Sequence, residues 1–313
     1  MADQIGRGSY VMLGKESTWG TAVSRTNTLH VLSHAFKRDI QKRVVPVLGL
    51  GGPTHRETES EVDNCSWSLE ALPSYENFGM LLEACFGSLA TTGPAGSDYT
   101  HTYTLGGAVP SGLTMEPIMG SYTDSATFEG CTVQRMRFSL GSGDLAKLSV
   151  SGFAETHAAP TTATSPSLGS GQTFMRASHG GTFDFNSNSL QVSSFEVEIA
   201  TGNVAPRKIG SATVQAPSQS VTEVTGQITL IFQTWAQHTE FVSDTQGDGT
   251  FAMTSSSLTA TFTMQNMKWS GASQPVSSHG FITQTLQFRC LGDGTDHGLK
   301  LVIVNENSSG TSN

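Results

Sequence analysis

The sequence predicts a mainly β protein made of two tandem copies of one unit, each with a short flanking helix. Two observations lead to this fold class. Apolar residues alternate with polar ones over short segments bounded by Gly, Ser and Asn, which is typical of half-buried antiparallel strands. Several sequence blocks of the first half also recur, in the same order, in the second half.

The alternation predicts strands in both halves, and we expect the apolar side chains of these strands to form the core. The clearest segments are Cys65–Ala71, Met136–Leu140, Phe195–Ile199, Ile228–Phe232, Phe262–Met264 and Leu286–Phe288. Trp67, Leu69, Phe138 and Trp269 are predicted core residues. The four cysteines form no CxxC pair, and the N-terminus has no apolar leader. We therefore expect reduced, buried thiols.

One helix is predicted clearly and a second more weakly. In the first, the apolar residues between Phe78 and Phe86 fall on one helical face. Ser74 is the expected N-cap, and Gly87 stands where a C′ glycine belongs. The segment Trp235–Val242 is the weaker counterpart in the second half.

The internal repeat predicts the domain boundaries. A shift of 161 residues aligns Asn27–Val31 with Asn188–Val192, and a shift of 131 aligns Thr132–Ser139 with Thr263–Ser270. The first half therefore carries about 30 additional residues, which we expect within a long loop at 88–128. The Pro/Ser/Thr/Gly-rich stretch Ala158–Gly171 reads as a linker. The predicted organisation is a first domain at 1–160, a linker at 161–172 and a second, diverged domain at 173–313.

The charge balance excludes one broad function class. The 26 acidic residues outnumber the 17 basic ones, for a net charge of −9, whereas a general electrostatic binder of nucleic acid would be basic. Charged residues make up only 14% of the chain, against about 25% in ordinary globular domains. So few charges suit a surface that is buried against partners. No stretch approaches 18 apolar residues, so no transmembrane helix is expected.

No catalytic, cofactor or metal constellation is found. The chain has neither a GxSxG nor an HExxH motif, and its glycine clusters lack the Lys-Ser/Thr of a P-loop. The segment Asp244–Gly249 resembles the start of a calcium loop, but Ser255 stands where the bidentate Glu belongs. His30 and His34 are four residues apart in a predicted strand or loop, where a surface role outweighs a zinc site. We expect no enzymatic activity, no cofactor and no metal.

Two groups of charged residues remain as candidate sites. The first group consists of acids that alternate along one predicted strand: Glu57, Glu59, Glu61 and Asp63. In a strand they would form a negative stripe on one face. This stripe is a candidate lumen or interface surface, or else simply a solvated face. A basic group is a candidate contact with a neighbouring subunit, or else a solvated loop; it comprises Lys37, Arg38, Lys42 and Arg43.

The opening segment Gly14–Val23, GKESTWGTAV, resembles the start of many tail tube proteins (major tail proteins) of long-tailed bacteriophages. Further similarities follow in order along the chain: a basic extended stretch, a Gly-rich turn, a long strand ending at Pro73, the helix ending at Gly87, and a hairpin leading to Gly152. The resemblance covers residues 9–155, and beyond them it rests on the duplication.

The resemblance implies tail-tube-type β-sandwich or half-barrel units and structural work without catalysis. Rings of such subunits would stack into the tube that conducts genomic DNA, without specific DNA binding or any membrane. Rings of six tube domains are usual in the family, so two domains per chain favour three chains per ring, with six chains as the alternative. The implied partners are further copies of the chain and the tape measure, tail terminator and tail tip proteins. The implied location is the virion tail of a non-contractile phage, after assembly in the host cytoplasm.

A duplicated β-sandwich binding module is the alternative function: an adhesin, a carbohydrate-binding protein or a virion decoration protein. Such modules usually expose clustered Trp and Tyr residues. The four Trp residues here are scattered along the chain, and two of them lie on predicted core strands.

Overall fold

The computed structural model describes residues 9–45, 57–106, 111–120, 123–166, 172–186, 188–232, 234–273, 282–292 and 298–310. Within them the chain is mainly β and antiparallel, as predicted. The elements of the first half are β1 (Tyr10–Lys15), β2 (Asn27–Leu29), β3 (Val31–Val45), β4 (Glu57–Ala71), α1 (Gly79–Phe86), β5 (Ser88–Ala95), β6 (Asp98–Thr104), β7 (Leu113–Ile118), β8 (Asp124–Gly141), β9 (Lys147–Ala154) and β10 (Thr156–Thr162). Those of the second half are β11 (Gly180–Phe185), β12 (Asn188–Leu190), β13 (Val192–Ala200), β14 (Glu223–Ile231), α2 (Ala236–Val242), β15 (Gln246–Ser255), β16 (Leu258–Ser273), β17 (Thr283–Cys290) and β18 (Leu299–Asn305).

An eight-stranded run of paired strands forms the main sheet, in the order β3-β4-β9-β8-β13-β14-β17-β16. Its apolar side packs against the remaining strands and α1. Phe138, Phe195 and Phe262 meet there, with ring centroids 4.8–6.3 Å apart. Leu69, Trp67 and Trp269 are buried as well, so the predicted core positions are confirmed.

The pairing pattern of the first half recurs in the second. β3-β4-β9-β8 corresponds to β13-β14-β17-β16. β2-β1-β7 beside β8 corresponds to β12-β11-β15 beside β16. β10 continues along β8 as β18 continues along β16. The hairpin β5–β6 has no counterpart in the described residues, and it pairs with β18.

The register irregularities coincide too. A bulge follows Val31 in β3 and Val192 in β13, and another lies at Gln134 in β8 and at Ser270 in β16. Gly130 lies where β8 changes its partner from β10 to β9, and Asn266 lies where β16 changes its partner from β18 to β17. Both residues have a positive φ, 65° and 51° respectively. Bulges are conserved within protein families, so their recurrence at matching places indicates that the two halves share one strand arrangement. The pairings are therefore consistent with two tandem copies.

Four details differ from the sequence-based expectations. Gly130 and Asn266 hold equivalent positions, which corresponds to a shift of 136 residues between the two halves. The sequence match of Thr132–Ser139 with Thr263–Ser270 used a shift of 131 residues, so it lies five residues out of structural register. The expected loop at 88–128 contains β5, β6, β7 and the start of β8. β10 occupies the beginning of the expected linker because it pairs with β8.

The fourth difference concerns the start of α1. The helix begins at Gly79, and Ser74 caps the preceding turn by accepting backbone hydrogen bonds from Glu76 and Asn77. Gly87 has the left-handed conformation expected of a C′ glycine, with φ 80°. The predicted second helix is confirmed as α2.

Candidate assembly surfaces

The side of the main sheet opposite the core is polar and concave. A concavity of about 490 Å³ crosses neighbouring strands of this side. Its lining is mostly small hydroxyl residues and charged side chains: Ser33, Ala35, Ser68, Glu70, Arg135, Arg137, Ser149, Ser151 and Glu198. Strict alternation produces this side, because the intervening residues point into the core. We call it the concave face.

Charges on the described part of the concave face are matched by partners of opposite sign. Arg137 lies 2.6 Å from Glu196, and Arg135 lies 3.2 Å from Glu198. Both pairs cross from β8 to β13, and hydrogen bonding to Glu196 raises the pKa of Arg137. Three further pairs lie on the same side: Lys37–Asp39, Lys147–Glu70 and Arg289–Glu223. The face is thus polar but close to neutral.

The two halves join edge to edge within the main sheet. Residues 135–141 of β8 pair with residues 194–200 of β13. We call this contact the internal joint. Among the described residues, the counterparts of these two strands lack such a partner: β3 pairs only with β4, and β16 beyond Lys268 pairs only with β17. Within the described residues, the main sheet therefore has an open strand edge at each end, and open edges favour pairing with another chain.

The candidate basic and acidic groups meet in the hairpin of β3 and β4. Arg38 contacts Asp63 at 2.6 Å and donates hydrogen bonds to both carboxylate oxygens. Asp63 is buried, so it lies apart from any exposed stripe. Lys37 is exposed and pairs with Asp39.

The other members of these groups have described backbones only. Lys42 and Arg43 pair along β3 with Ser60 and Glu59 of β4. A bulge at Glu61 interrupts the two-residue alternation between Glu57 and Asp63. The side chains of Glu57, Glu59, Glu61, Lys42 and Arg43 lie outside the described residues, so the acidic stripe and the wider basic group stay predictions.

The opening segment GKESTWGTAV is anchored by a buried carboxylate. Glu16 accepts hydrogen bonds from Gly20 N (2.8 Å), Gly130 N (2.8 Å) and Thr114 Oγ1 (2.9 Å). Burial raises the pKa of Glu16 and outweighs these hydrogen bonds. Gly20 has φ 75°, and a Cβ there would meet Glu155 at 1.6 Å. Trp19 donates to Thr132 at 3.1 Å, so the motif holds the loop after β1 against β7 and β8.

A second buried carboxylate secures the end of β10. Glu116 contacts Arg25 at 2.9 Å and accepts hydrogen bonds from Ser125 and Thr164. Burial acts to raise the pKa of Glu116, but these hydrogen bonds outweigh it and leave the pKa below its usual value.

The described residues contain no cluster of three or more His, Cys, Asp or Glu side chains that could hold a metal. All four cysteines are free and buried, and burial raises the pKa of the Cys65 thiol to about 11. No helix in the described part of the chain is long and apolar enough to cross a membrane.

Sequence reasoning missed the acids that match Arg135 and Arg137. A signal for them exists: in FEVEIA of β13, Glu196 and Glu198 alternate with buried residues, just as the arginines do in β8. Their meeting depends on the internal joint between strands 59 residues apart, which no local pattern specifies.

Comparison with known proteins gives one family match. A family model described as phage tail tube protein matches residues 6–290 of the chain. No curated protein matches significantly.

Proposed function

The chain belongs to the phage tail tube protein family, and we propose that three copies form a ring whose stacked repeats conduct genomic DNA. Membership gives the chain a structural role in the virion tail. The alternative of a duplicated binding module has no specific support: Trp67 and Trp269 are buried, and only Trp235 is largely exposed.

The internal joint is the observation that supports three chains per ring. It joins two four-stranded units of matching register into one sheet. If the same contact recurs between chains, β16 of one chain pairs with β3 of the next. Each ring then contains six equivalent units, and every open edge of the main sheet is closed. Six chains per ring would instead place twelve such units around the ring, twice the number of tube domains that is usual in the family.

The register of the proposed contact follows from the bulges. In the register of the internal joint, the backbone position of Arg137 lies directly opposite that of Glu198. Counted from the bulges at Gln134 and Ser270, the counterpart of Arg137 is Ser273. Counted from the bulges after Val192 and Val31, the counterpart of Glu198 is Lys37. We therefore expect Ser273 to lie opposite Lys37 of the neighbouring chain.

The concave face is the proposed lumen surface. DNA carries one negative charge per about 1.7 Å of its length, and unpaired basic side chains would hold it by releasing counterions. On the concave face the described Arg and Lys residues are paired with acids. A neutral, hydroxyl-rich wall would let DNA pass without specific binding. The further proposed partners are the tape measure, tail terminator and tail tip proteins, and the proposed assembly site is the host cytoplasm of a long-tailed, non-contractile phage.

A cysteine cross-link tests the proposed contact between chains. The variant Lys37→Cys/Ser273→Cys should form disulfides between chains in assembled rings, because directly opposed Cβ atoms lie about 4.5–5.5 Å apart. The four native cysteines are buried, which keeps the background low. The matched control Lys37→Cys/Thr254→Cys uses an exposed position on β15 and should stay uncross-linked. Equal cross-linking of both variants would contradict the proposed register.

A further inference from the structure

The two helices hold equivalent places but differ in burial. α1 follows β4 and α2 follows β14, its counterpart. Phe78 and Trp235 each occupy the position directly before the first helical residue. Phe78 is only 1% exposed, whereas Trp235 is 60% exposed. The helix of the second half therefore lacks a cover that the helix of the first half has.

Both halves of the chain cover α1: β5, β6 and β8 of its own half lie against it, and strands of the other half complete the cover. Phe78, Leu82 and Phe86 share a small cavity with Met136, Phe138 and Leu148 of the first half and with apolar residues of three second-half strands: Val197 and Ile199 of β13, Phe262 of β16, and Leu299 and Leu301 of β18. α1 thus packs over the internal joint, from its own half onto the next.

The counterpart of that covered surface is open. On β13, Phe195, Val197 and Ile199 are all buried, with at most 3% exposure. The corresponding positions on β3 are His34, Phe36 and Arg38, of which the first two are half-buried and the third is exposed.

Aromatic rings continue from this part of β3 across to β10. The ring centroids of Phe36 and Phe128 lie 5.0 Å apart, as do those of Phe128 and His157. His34 lies 5.8 Å from Phe36. His157 holds the place on β10 that Leu299 holds on β18. We call His34, Phe36, Phe128 and His157 the aromatic patch; Phe128 is buried within it, and the other three are half-buried.

We propose that α2 of one chain packs over the β16–β3 contact onto the aromatic patch of the next chain, with Trp235 as its anchor. This inference rests on the proposed ring. The occupant of the aromatic patch is a second copy of this chain, because the same fold supplies both surfaces and already joins their counterparts within one chain. Trp235 then takes the role that Phe78 has at the internal joint.

The surroundings of Trp235 suit such a contact. Its ring lies 5.2 Å from Phe232 and 5.3 Å from His238. Three exposed apolar side chains add to the apolar surface around Trp235. Ile231 and Val242 are near Trp235 in sequence, and Ile282 precedes Thr283, which pairs with Ile231. Trp is enriched among the residues that dominate interface energies, and contiguous exposed apolar surfaces mark interaction sites.

The test compares assembly of the variant Trp235→Ala with that of the wild type. We expect the variant to need at least about a tenfold higher protein concentration for half-maximal ring formation, measured by light scattering and electron microscopy. Its thermal unfolding as a single chain should match the wild type, because the side chain is 60% exposed. The variant Trp235→Phe should restore most of the assembly.

The matched control is Ile209→Ala, which removes a fully exposed apolar side chain outside both helices. It should assemble at the wild-type concentration. Wild-type assembly by Trp235→Ala, or equal losses in both variants, would overturn the inference while the proposed ring stands. If wild-type chains formed no rings at any concentration, the proposed function would fail, and the inference with it.

Discussion

Removing the carboxylate of Glu16 should strongly destabilise the fold. The carboxylate accepts hydrogen bonds from Gly20 N, Gly130 N and Thr114 Oγ1. The substitution Glu16→Ala leaves these donors without their acceptor in a buried site. Each unsatisfied buried donor costs about 1–3 kcal/mol, so with partial relaxation the expected loss is about 3–5 kcal/mol.

Urea unfolding followed by tryptophan fluorescence measures this loss, at protein concentrations below ring formation. Trp19 reports on the same loop, because it donates to Thr132 beside Gly130. The matched control is Glu155→Gln. Burial, followed by the charges of Glu16 and Glu129, raises the pKa of Glu155. The ionised form of Glu155 is therefore disfavoured in the fold, and neutralising it should not destabilise the chain. A cost below about 1 kcal/mol for Glu16→Ala would refute the anchoring role.

Three further predictions follow from the core, the concave face and the second buried carboxylate. Phe138→Ala removes a buried ring that packs 4.8 Å from Phe262 and should cost about 3–5 kcal/mol in urea unfolding; a wild-type midpoint would contradict the core assignment. Glu196→Gln with Glu198→Gln leaves two arginines of the concave face without acids, so the single chain should gain salt-dependent affinity for duplex DNA in fluorescence anisotropy. Unchanged affinity would contradict charge matching as the reason for weak DNA binding. The pKa of Glu116 is lowered in the folded chain, so its contribution to stability is present above its unfolded pKa of about 4.3 and is lost as the pH falls through the folded pKa. Glu116→Gln should therefore show a smaller acid-induced loss of stability than the wild type, and equal losses would contradict this sign.

The strands that carry the core could be predicted because their sequences alternate. The apolar positions of β4, β13 and β17 follow a period of two and are buried. α2 could be located from its similarity to α1, although its sequence is less apolar. Local periodicity suffices wherever one side of an element faces the core.

The strands within 88–128 could not be predicted, because their partners rather than their sequences specify them. β5, SLATTGPA, is almost entirely exposed and pairs only with β6 among the described strands. β6 in turn pairs with β18, about 200 residues further along the chain. β10 shows the same effect, since its Ala/Pro/Thr sequence resembles a linker but lies along β8.

The ion pairs of the concave face escaped prediction for a related reason. Arg135 and Arg137 flank the buried Met136 in β8, yet their acidic partners belong to the other half of the chain. The pair of Arg38 with the buried Asp63 was also unexpected. Sequence separated these residues into a basic group and an acidic stripe, whereas the hairpin of β3 and β4 brings them together.

The mass of the smallest ring tests the central claim most directly. With a chain of 33.1 kDa, native mass spectrometry of purified rings should give about 99 kDa, and negative-stain electron microscopy should show six similar lobes around a central hole. Such a ring would mean that the internal joint and the contact between chains are equivalent. A ring of about 199 kDa, six times 33.1 kDa, would hold twelve units and would contradict the proposed ring of three chains.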